Sequence, residues 1–255
     1  MTALEHVTVG RDRVYLLRVL TGDEAARTGA AVLEPPAALR DACWHVGDDL
    51  STIGAPLYRN RERPEYYAER ARATNRLLYR AYRDLYERVA AVFEDRYRVP
   101  VAFVDELAIP GFHLMWYDTP GRHDGGGWHV DRLAWQVPYF ADRAAEVRGI
   151  VNVTLPLVVP SGGTGMDLRE NPGESDEIVD LDNNGTSGAD GRIGQAGDTR
   201  PHADVHVTYR PGVMVFNECE VPHRIGPSTT RRPHELRLTL QGHGVLFRGR
   251  LLLFW

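Results

Sequence analysis

The sequence predicts a mainly β fold, a sandwich or jelly roll, set behind a helical N-terminal half. Three observations lead there. From about Val99 the chain breaks into short β-branched or alternating apolar runs separated by Gly-, Pro- and Asn-rich turns. Before that point, the stretch that follows Pro64, to about Asp95, contains neither Gly nor Pro and carries a helical apolar period. At 255 residues, 43% hydrophobic and 25% charged, the chain can bury a sizeable core in one large β-rich unit. We read 1–255 as a single domain, with 1–97 as mostly helical support and 98–255 as the β half.

In chain order, Val14 to Val19 reads as a short strand, and Asp23-Glu24-Ala25-Ala26 after Thr21-Gly22 as a capped helix start. From Pro64 onward, Leu78, Tyr82, Leu85, Val89 and Phe93 recur at spacings of four, three, four and four, which predicts one long amphipathic helix packed on a sheet. Phe112 to Tyr117 reads as an aromatic-rich strand ending at Asp118-Thr119-Pro120-Gly121. Gly149 to Val159 is a strand closing on Pro160-Ser161-Gly162-Gly163. Further strands are expected at His206 to Tyr209, Val213 to Phe216, Leu236 to Gln241 and Val245 to Phe254. Between about 167 and 204 lies a Gly-, Asp- and Asn-rich insert, too long for a simple connection and too polar for a core. Inside it Asp180 to Gly185 imitates the start of a calcium loop, but position twelve is Gly191 where a bidentate Glu is needed.

Composition removes several functions. A formal net charge of -5 and no run of Arg leave no electrostatic footprint for nucleic acid or an anionic membrane. All 30 basic residues are Arg, so Schiff-base and Lys general-base chemistry are excluded. The two cysteines, Cys43 and Cys219, form neither a disulfide framework nor a thiolate zinc site and point to a reducing, cytoplasmic setting. No run of 18 apolar residues and no secretory apolar core near the N-terminus is present, so the reading is neither secreted nor membrane-spanning. A small molecule is the expected partner; oligomeric state is not legible.

The chemistry concentrates in Gly125-Gly126-Gly127-Trp128-His129-Val130-Asp131 and the distant Val221-Pro222-His223-Arg224. If the first segment is extended, His129 and Asp131 leave the same face and converge. Two imidazoles and one carboxylate on one face of an octahedron suit non-heme Fe(II), and His223 can supply the third ligand. Further on, Leu236-Arg237-Leu238-Thr239-Leu240 alternates, so Arg237 and Thr239 share the face opposite the leucines. A buried Arg there needs an anion, and a small carboxylic acid held bidentately with the Thr hydroxyl beside it would satisfy it. An exposed Arg on an outer strand face is the competing reading.

In this order, His129-x-Asp131, His223 and Arg237-x-Thr239 resemble the Fe(II)/2-oxoglutarate-dependent dioxygenase superfamily. Trp128-His-Val-Asp-Arg-Leu-Ala-Trp135 is similar to the Trp-His-x-Asp-x-x-x-Trp of its phytanoyl-CoA and ectoine hydroxylase-like branch. The resemblance covers about 112–241. It implies a cupin-like double-stranded β-helix with iron held by His129, Asp131 and His223 at one mouth. It implies 2-oxoglutarate on that iron, with its far carboxylate on Arg237 and Thr239. Arg232, before Pro233 in a turn, is the alternative anchor, less favoured because the turn places it in a loop. Tyr117 resembles a co-substrate contact, although Trp116 and His113 are equally near, and Asn152 is a further candidate. Substrate contacts are expected from Trp128, Arg132, Trp135 and part of the insert.

The implied activity consumes O2 and 2-oxoglutarate and hydroxylates, desaturates or cyclises an unactivated C-H. The expected substrate is a small polar metabolite, an amino acid or natural-product intermediate. Asp131 argues against halogenation, since related halogenases carry Gly or Ala at that ligand position. Two other classes stay open: a non-catalytic cupin-like protein that binds metal or a small molecule, and a cupin-type metalloenzyme that does not use 2-oxoglutarate. Neither supplies a reason for Arg237 and Thr239 to share a strand face.

Overall fold

A computed structural model describes residues 5–46, 50–60, 63–117, 126–131, 137–170, 204–218, 221–229 and 234–255. The chain opens with the hairpin β1 (Glu5–Val9) and β2 (Asp12–Arg18), the second matching the expected strand. Helix α1 (Gly22–Leu33) starts as its sequence predicts. The Glu24 amide donates to the Thr21 hydroxyl at 3.2 Å, and the Thr21 amide donates back to the Glu24 carboxylate at 2.8 Å. Helix α2 (Ala37–Cys43) and the short strands β3 (Trp44–His45) and β4 (Ser51–Ile53) follow. The first 97 residues therefore supply strands as well as helices.

The predicted long helix is two helices, α3 (Pro64–Ala81) and α4 (Arg83–Tyr97), broken at Tyr82 (φ -127°, ψ 35°). No Gly or Pro marks the break. Tyr82 is buried, edge-on to Phe112 with ring centroids 4.9 Å apart, and its hydroxyl donates to the Ala31 carbonyl at 3.4 Å. Tertiary packing of one ring has overridden a helical period. The stripe Leu78, Tyr82, Leu85, Val89 and Phe93 is nevertheless buried throughout, as its spacing predicted.

The β half contains β5 (Val101–Ala102), β6 (Gly111–Trp116), β7 (Val147–Val158), β8 (Gly165–Leu168), β9 (Val205–Thr208), β10 (Val213–Asn217), β11 (His223–Ile225), β12 (Leu236–Phe247) and β13 (Arg250–Phe254). The major sheet runs β1-β2-β10-β7-β12-β6-β4-β3, with β13 on β12 and β5 on β13; the minor sheet is β11-β8-β9. The two runs expected at Leu236 to Gln241 and Val245 to Phe254 are instead the long β12 and a hairpin partner. Gly242 does not end the strand. A Cβ there would meet the Phe254 carbonyl oxygen and Pro110 at 2.8 Å, so the glycine marks a close approach. The chain reverses at Arg248-Gly249, both at positive φ (49° and 71°), the geometry of a tight hairpin turn.

The major sheet has two distinct faces. Leu238, Leu240, Leu155, Leu157 and Phe112 join the helical stripe in one core. On the opposite side Met166, Leu168, Val207 and Tyr209 pack against Val213 and Val215, closing the minor sheet over the major one. The polar insert is shorter than its composition suggested at its near edge, where Asp167 and Leu168 belong to β8. Residues 171–203 lie outside the described residues, and the calcium-like segment Asp180 to Gly185 is among them. Among the described residues, no helix is long and apolar enough to cross a membrane.

Candidate metal and oxoacid site

Between the two sheets lies a cavity of about 380 Å³. His129, Asp131 and His223 converge on it, their candidate ligand atoms all within 4.8 Å of one another. The backbone explains the convergence. His129 and His223 are direct partners in an antiparallel bridge, each amide donating to the other's carbonyl at 2.9 Å. Residues so paired project side chains to the same face, and the ring centroids are 4.4 Å apart. Asp131, two residues beyond His129, places Oδ2 3.4 Å from His223 Nε2.

Each imidazole is oriented from behind. His129 Nδ1 lies 3.0 Å from the Gly127 carbonyl, and His223 Nδ1 lies 2.9 Å from the Val221 carbonyl. A carbonyl only accepts, so both Nδ1 atoms carry the proton and both Nε2 lone pairs are offered to a metal. Burial disfavours charge on Asp131 and His223, but their mutual contact prevails. It holds the Asp131 carboxyl below the usual carboxylate range and raises the His223 imidazole above its ordinary value. With a metal in place of the proton that His223 shares with Asp131, two imidazole nitrogens and one carboxylate are the donor set that suits a divalent first-row ion with positions left open.

Arg237 lies in the wall of the same cavity, fully buried, and none of its three guanidinium nitrogens has a hydrogen-bond partner among the described residues. The expected alternation holds: Leu238 and Leu240 enter the helical core while Arg237 faces the cavity. Thr239 is buried one inward position along, its hydroxyl also without a partner among the described residues, though it does not reach the cavity surface. The nearest ring is Tyr209, with the Arg237 guanidinium 6.0 Å from its centroid. A buried cation with no counter-charge costs several kcal/mol, roughly, unless an anion completes it. A carboxylate fits that vacancy in charge and in fork geometry.

The remaining predicted residues separate. Asn152 lines the cavity, accepting from His243 Nδ1 at 2.9 Å and donating to Asn217 Oδ1 at 3.4 Å. Tyr117 is buried but stands outside the cavity lining, its hydroxyl donating to Thr164 at 3.3 Å. Trp128, expected to touch substrate, is not in the lining either. Side chains alternate, so the residue before His129 leaves the outer face. There the guanidinium groups of Arg169 at 4.2 Å and Arg224 at 4.8 Å both lie against its ring. Arg224 donates to Asp167 at 2.9 Å and Arg169 to Asp204 at 2.9 Å. Arg132, Trp135 and Arg232 lie outside the described residues.

His113, weighed in the sequence only as an alternative to Tyr117, also lines the cavity, as do residues that sequence reasoning passed over. His113 stands with Nε2 2.9 Å from the Tyr58 hydroxyl and its ring 5.1 Å from that of Trp255. Burial, with the charge of Arg237 next, lowers its pKa to about 3, so it is neutral. Tyr209, Asn217, Gln241 and His243 complete the polar wall. Their one signal in the sequence was a polar side chain within an otherwise apolar strand.

No family model matches the sequence, and no curated protein matches it. Solved structures do. The chain is similar to a novel N-substituted L-amino acid dioxygenase in complex with alpha-KG from Burkholderia ambifaria AMMD. That match has a TM-score of 0.53 and 14% identity, and covers 95% of this chain and 86% of that one. It also matches the non-heme alpha ketoglutarate dependent epimerase SnoN from nogalamycin biosynthesis (TM-score 0.44, 17% identity, 92% and 81% covered). A third match is AviO1 from Streptomyces viridochromogenes Tue57 (TM-score 0.44, 17% identity, 91% and 89% covered). The first of these shows the fold, the expected jelly roll of mainly antiparallel strands.

Proposed function

We propose that this chain is a single-domain Fe(II)/2-oxoglutarate-dependent oxygenase. In this reading His129, Asp131 and His223 hold the metal, and Arg237, with Thr239 beside it, anchors the far carboxylate of 2-oxoglutarate. One observation carries the reading: a fully buried guanidinium without a partner among the described residues shares a cavity with two histidines and a carboxylate poised as metal ligands. A passive metal-binding protein has no use for that cation, and a metalloenzyme without an oxoacid leaves it unpaired.

With 2-oxoglutarate and O2, the iron supplies oxidative decarboxylation and removal of hydrogen from an unactivated C-H. The protein supplies position. The Gly127 and Val221 carbonyls fix the imidazole tautomers, Asp131 fills the third protein ligand position, and Arg237 sets the direction in which the oxoacid lies. With Asp131 in place the reading is hydroxylation, desaturation or cyclisation rather than halogenation. The substrate is a small polar metabolite, and the two isolated cysteines, of which Cys43 is buried and free, suit a cytoplasmic setting.

The test is to supply purified protein with Fe(II), ascorbate and 2-oxoglutarate and to screen metabolites for succinate release above the uncoupled background. Absence of any oxoacid consumption, coupled or uncoupled, by metal-loaded protein counts against the reading.

A further inference from the structure

A second polar site occupies the same cavity, away from Arg237. Asn217 on β10 is the cross-strand partner of Asn152 on β7, which in turn faces His243 on β12. All three are buried, all three line the cavity, and they form one hydrogen-bonded row. His243 Nδ1 donates to Asn152 Oδ1 at 2.9 Å, and Asn152 Nδ2 donates to Asn217 Oδ1 at 3.4 Å. This direction leaves the Asn217 amide nitrogen at the end of the row. It makes no hydrogen bond to another described residue, so its two N–H groups are available to an acceptor in the cavity. Three polar side chains side by side on a cavity wall carry a desolvation cost that an apolar wall would not.

The row is distinct from the oxoacid anchor. His243 stands six positions beyond Arg237 on β12, roughly 20 Å at the rise of an extended strand. The row is thus offset along the strand from Arg237. His243 nevertheless lines the same cavity as the metal-binding triad.

Charge then selects what the row can take, an argument that rests on the oxygenase reading above. In the loaded cavity the metal's two charges meet Asp131 and one oxoacid carboxylate, and Arg237 meets the other. Arg224, also in the lining, is paired with Asp167. The other polar side chains in the described lining are amides, hydroxyls and imidazoles, among them Asn152, Asn217, Gln241, Thr154 and Tyr58. No fixed charge remains there to offset another, and burying an unpaired ion is unfavourable.

We propose that Asn217, Asn152 and His243 form the subsite for the polar group of the organic substrate, Asn152 then serving the substrate rather than the co-substrate expected from the sequence. That group is an uncharged acceptor, such as a carboxamide, ketone or hydroxyl oxygen, rather than a carboxylate or an ammonium. The expected substrate thereby shifts from a free amino acid toward a neutral intermediate bearing hydroxyl or amide groups.

Acetamide, acetate and methylammonium are probes of similar size that differ in charge. The protein is loaded with Zn(II), which accepts the same ligands without turnover, and with 2-oxoglutarate. Side-chain NH2 resonances of Asn217 and Asn152 are followed in 15N-labelled protein, assigned by their loss in Asn217→Leu and Asn152→Leu. Acetamide should move both, saturably, at a concentration lower by about tenfold than either ion requires, equivalent to roughly 1.4 kcal/mol. Asn217→Asp should reverse the order in favour of methylammonium, and it serves alone if the leucine variants do not fold. Either ion acting as strongly as acetamide on the wild type, or no probe moving the two amides, overturns the proposal. Binding of 2-oxoglutarate, read beforehand in the same sample, keeps the readings apart. Its loss removes the oxygenase reading and the charge balance with it, whereas normal oxoacid binding with amides indifferent to acetamide removes this proposal only.

Discussion

His129 and His223 meet as a single hydrogen-bonded pair outside any longer ladder, their amides and carbonyls exchanged at 2.9 Å and their rings 4.4 Å apart. Two distant segments thus bring one nitrogen each to the same point, and neither can hold a metal without the other. His129→Ala and His223→Ala should each abolish the weak visible charge-transfer band expected of anaerobic protein with Fe(II) and 2-oxoglutarate. Wild-type protein that binds the oxoacid equally well without metal would falsify the assignment of the triad.

Arg237 should show opposite signs in binding and in stability. On the proposed reading, replacing it removes a charge-assisted contact to the oxoacid worth about 2 to 5 kcal/mol, so Arg237→Met should weaken 2-oxoglutarate roughly 30-fold or more. The same change removes a buried cation that no described residue satisfies. The oxoacid-free protein should therefore gain about 1 to 3 kcal/mol in urea unfolding. Metal content should stay as in the wild type. A variant that loses stability while keeping its oxoacid affinity would mean that Arg237 has a structural partner instead, and the same loss of affinity in Arg232→Met would move the anchor to that loop.

Trp128 braces the metal strand from outside, against the guanidinium groups of Arg169 and Arg224. Each cation–π contact is worth about 0.5 to 2 kcal/mol, and groups that orient metal ligands typically change affinity by roughly 10- to 100-fold. Trp128→Leu should lower Co(II) affinity by about tenfold, and Trp128→Phe, which keeps an aromatic face, should recover most of it. Equal Co(II) affinity in the leucine variant and the wild type would show these contacts to be idle.

His113 predicts a particular acid sensitivity. Its pKa falls from 6.5 to about 3 on folding, through burial first and the charge of Arg237 second. Between those values the unfolded chain binds a proton that the native one does not, so stability declines as pH drops from 6.5 toward 3. The slope from this one group reaches about 1.4 kcal/mol per pH unit. His113→Gln, which can still accept from Tyr58, should lose less stability than the wild type between pH 7 and pH 5. Parallel urea midpoints across that range would remove His113 as the cause.

The triad was readable because its information is local. The i, i+2 spacing of His129 and Asp131 fixes a shared face once the segment is extended, and Leu-Arg-Leu-Thr-Leu fixes the face of Arg237 in the same way. The same alternation, applied one residue earlier, sends Trp128 away from the cavity. Asn217, Asn152 and His243 become a row only through the pairing of β10, β7 and β12, and that register is set by long-range contacts that no single strand encodes. Tyr82 was hidden for a related reason. Its period is helical, and the ring that pulls it out of the helix belongs to Phe112 on a strand.

The two-faced strand β12 also ties folding fidelity to function. Leu238 and Leu240 hold the helices, while Arg237 and His243 serve the cavity, and the two sets interleave residue by residue. A slip or deletion of one residue within Leu236 to His243 would turn a guanidinium into the apolar core and present leucines to the cavity. A misregistered molecule therefore cannot persist as a stable but inactive population. Errors in this strand are self-reporting, because any copy able to keep its helices docked has also turned Arg237 to the cavity.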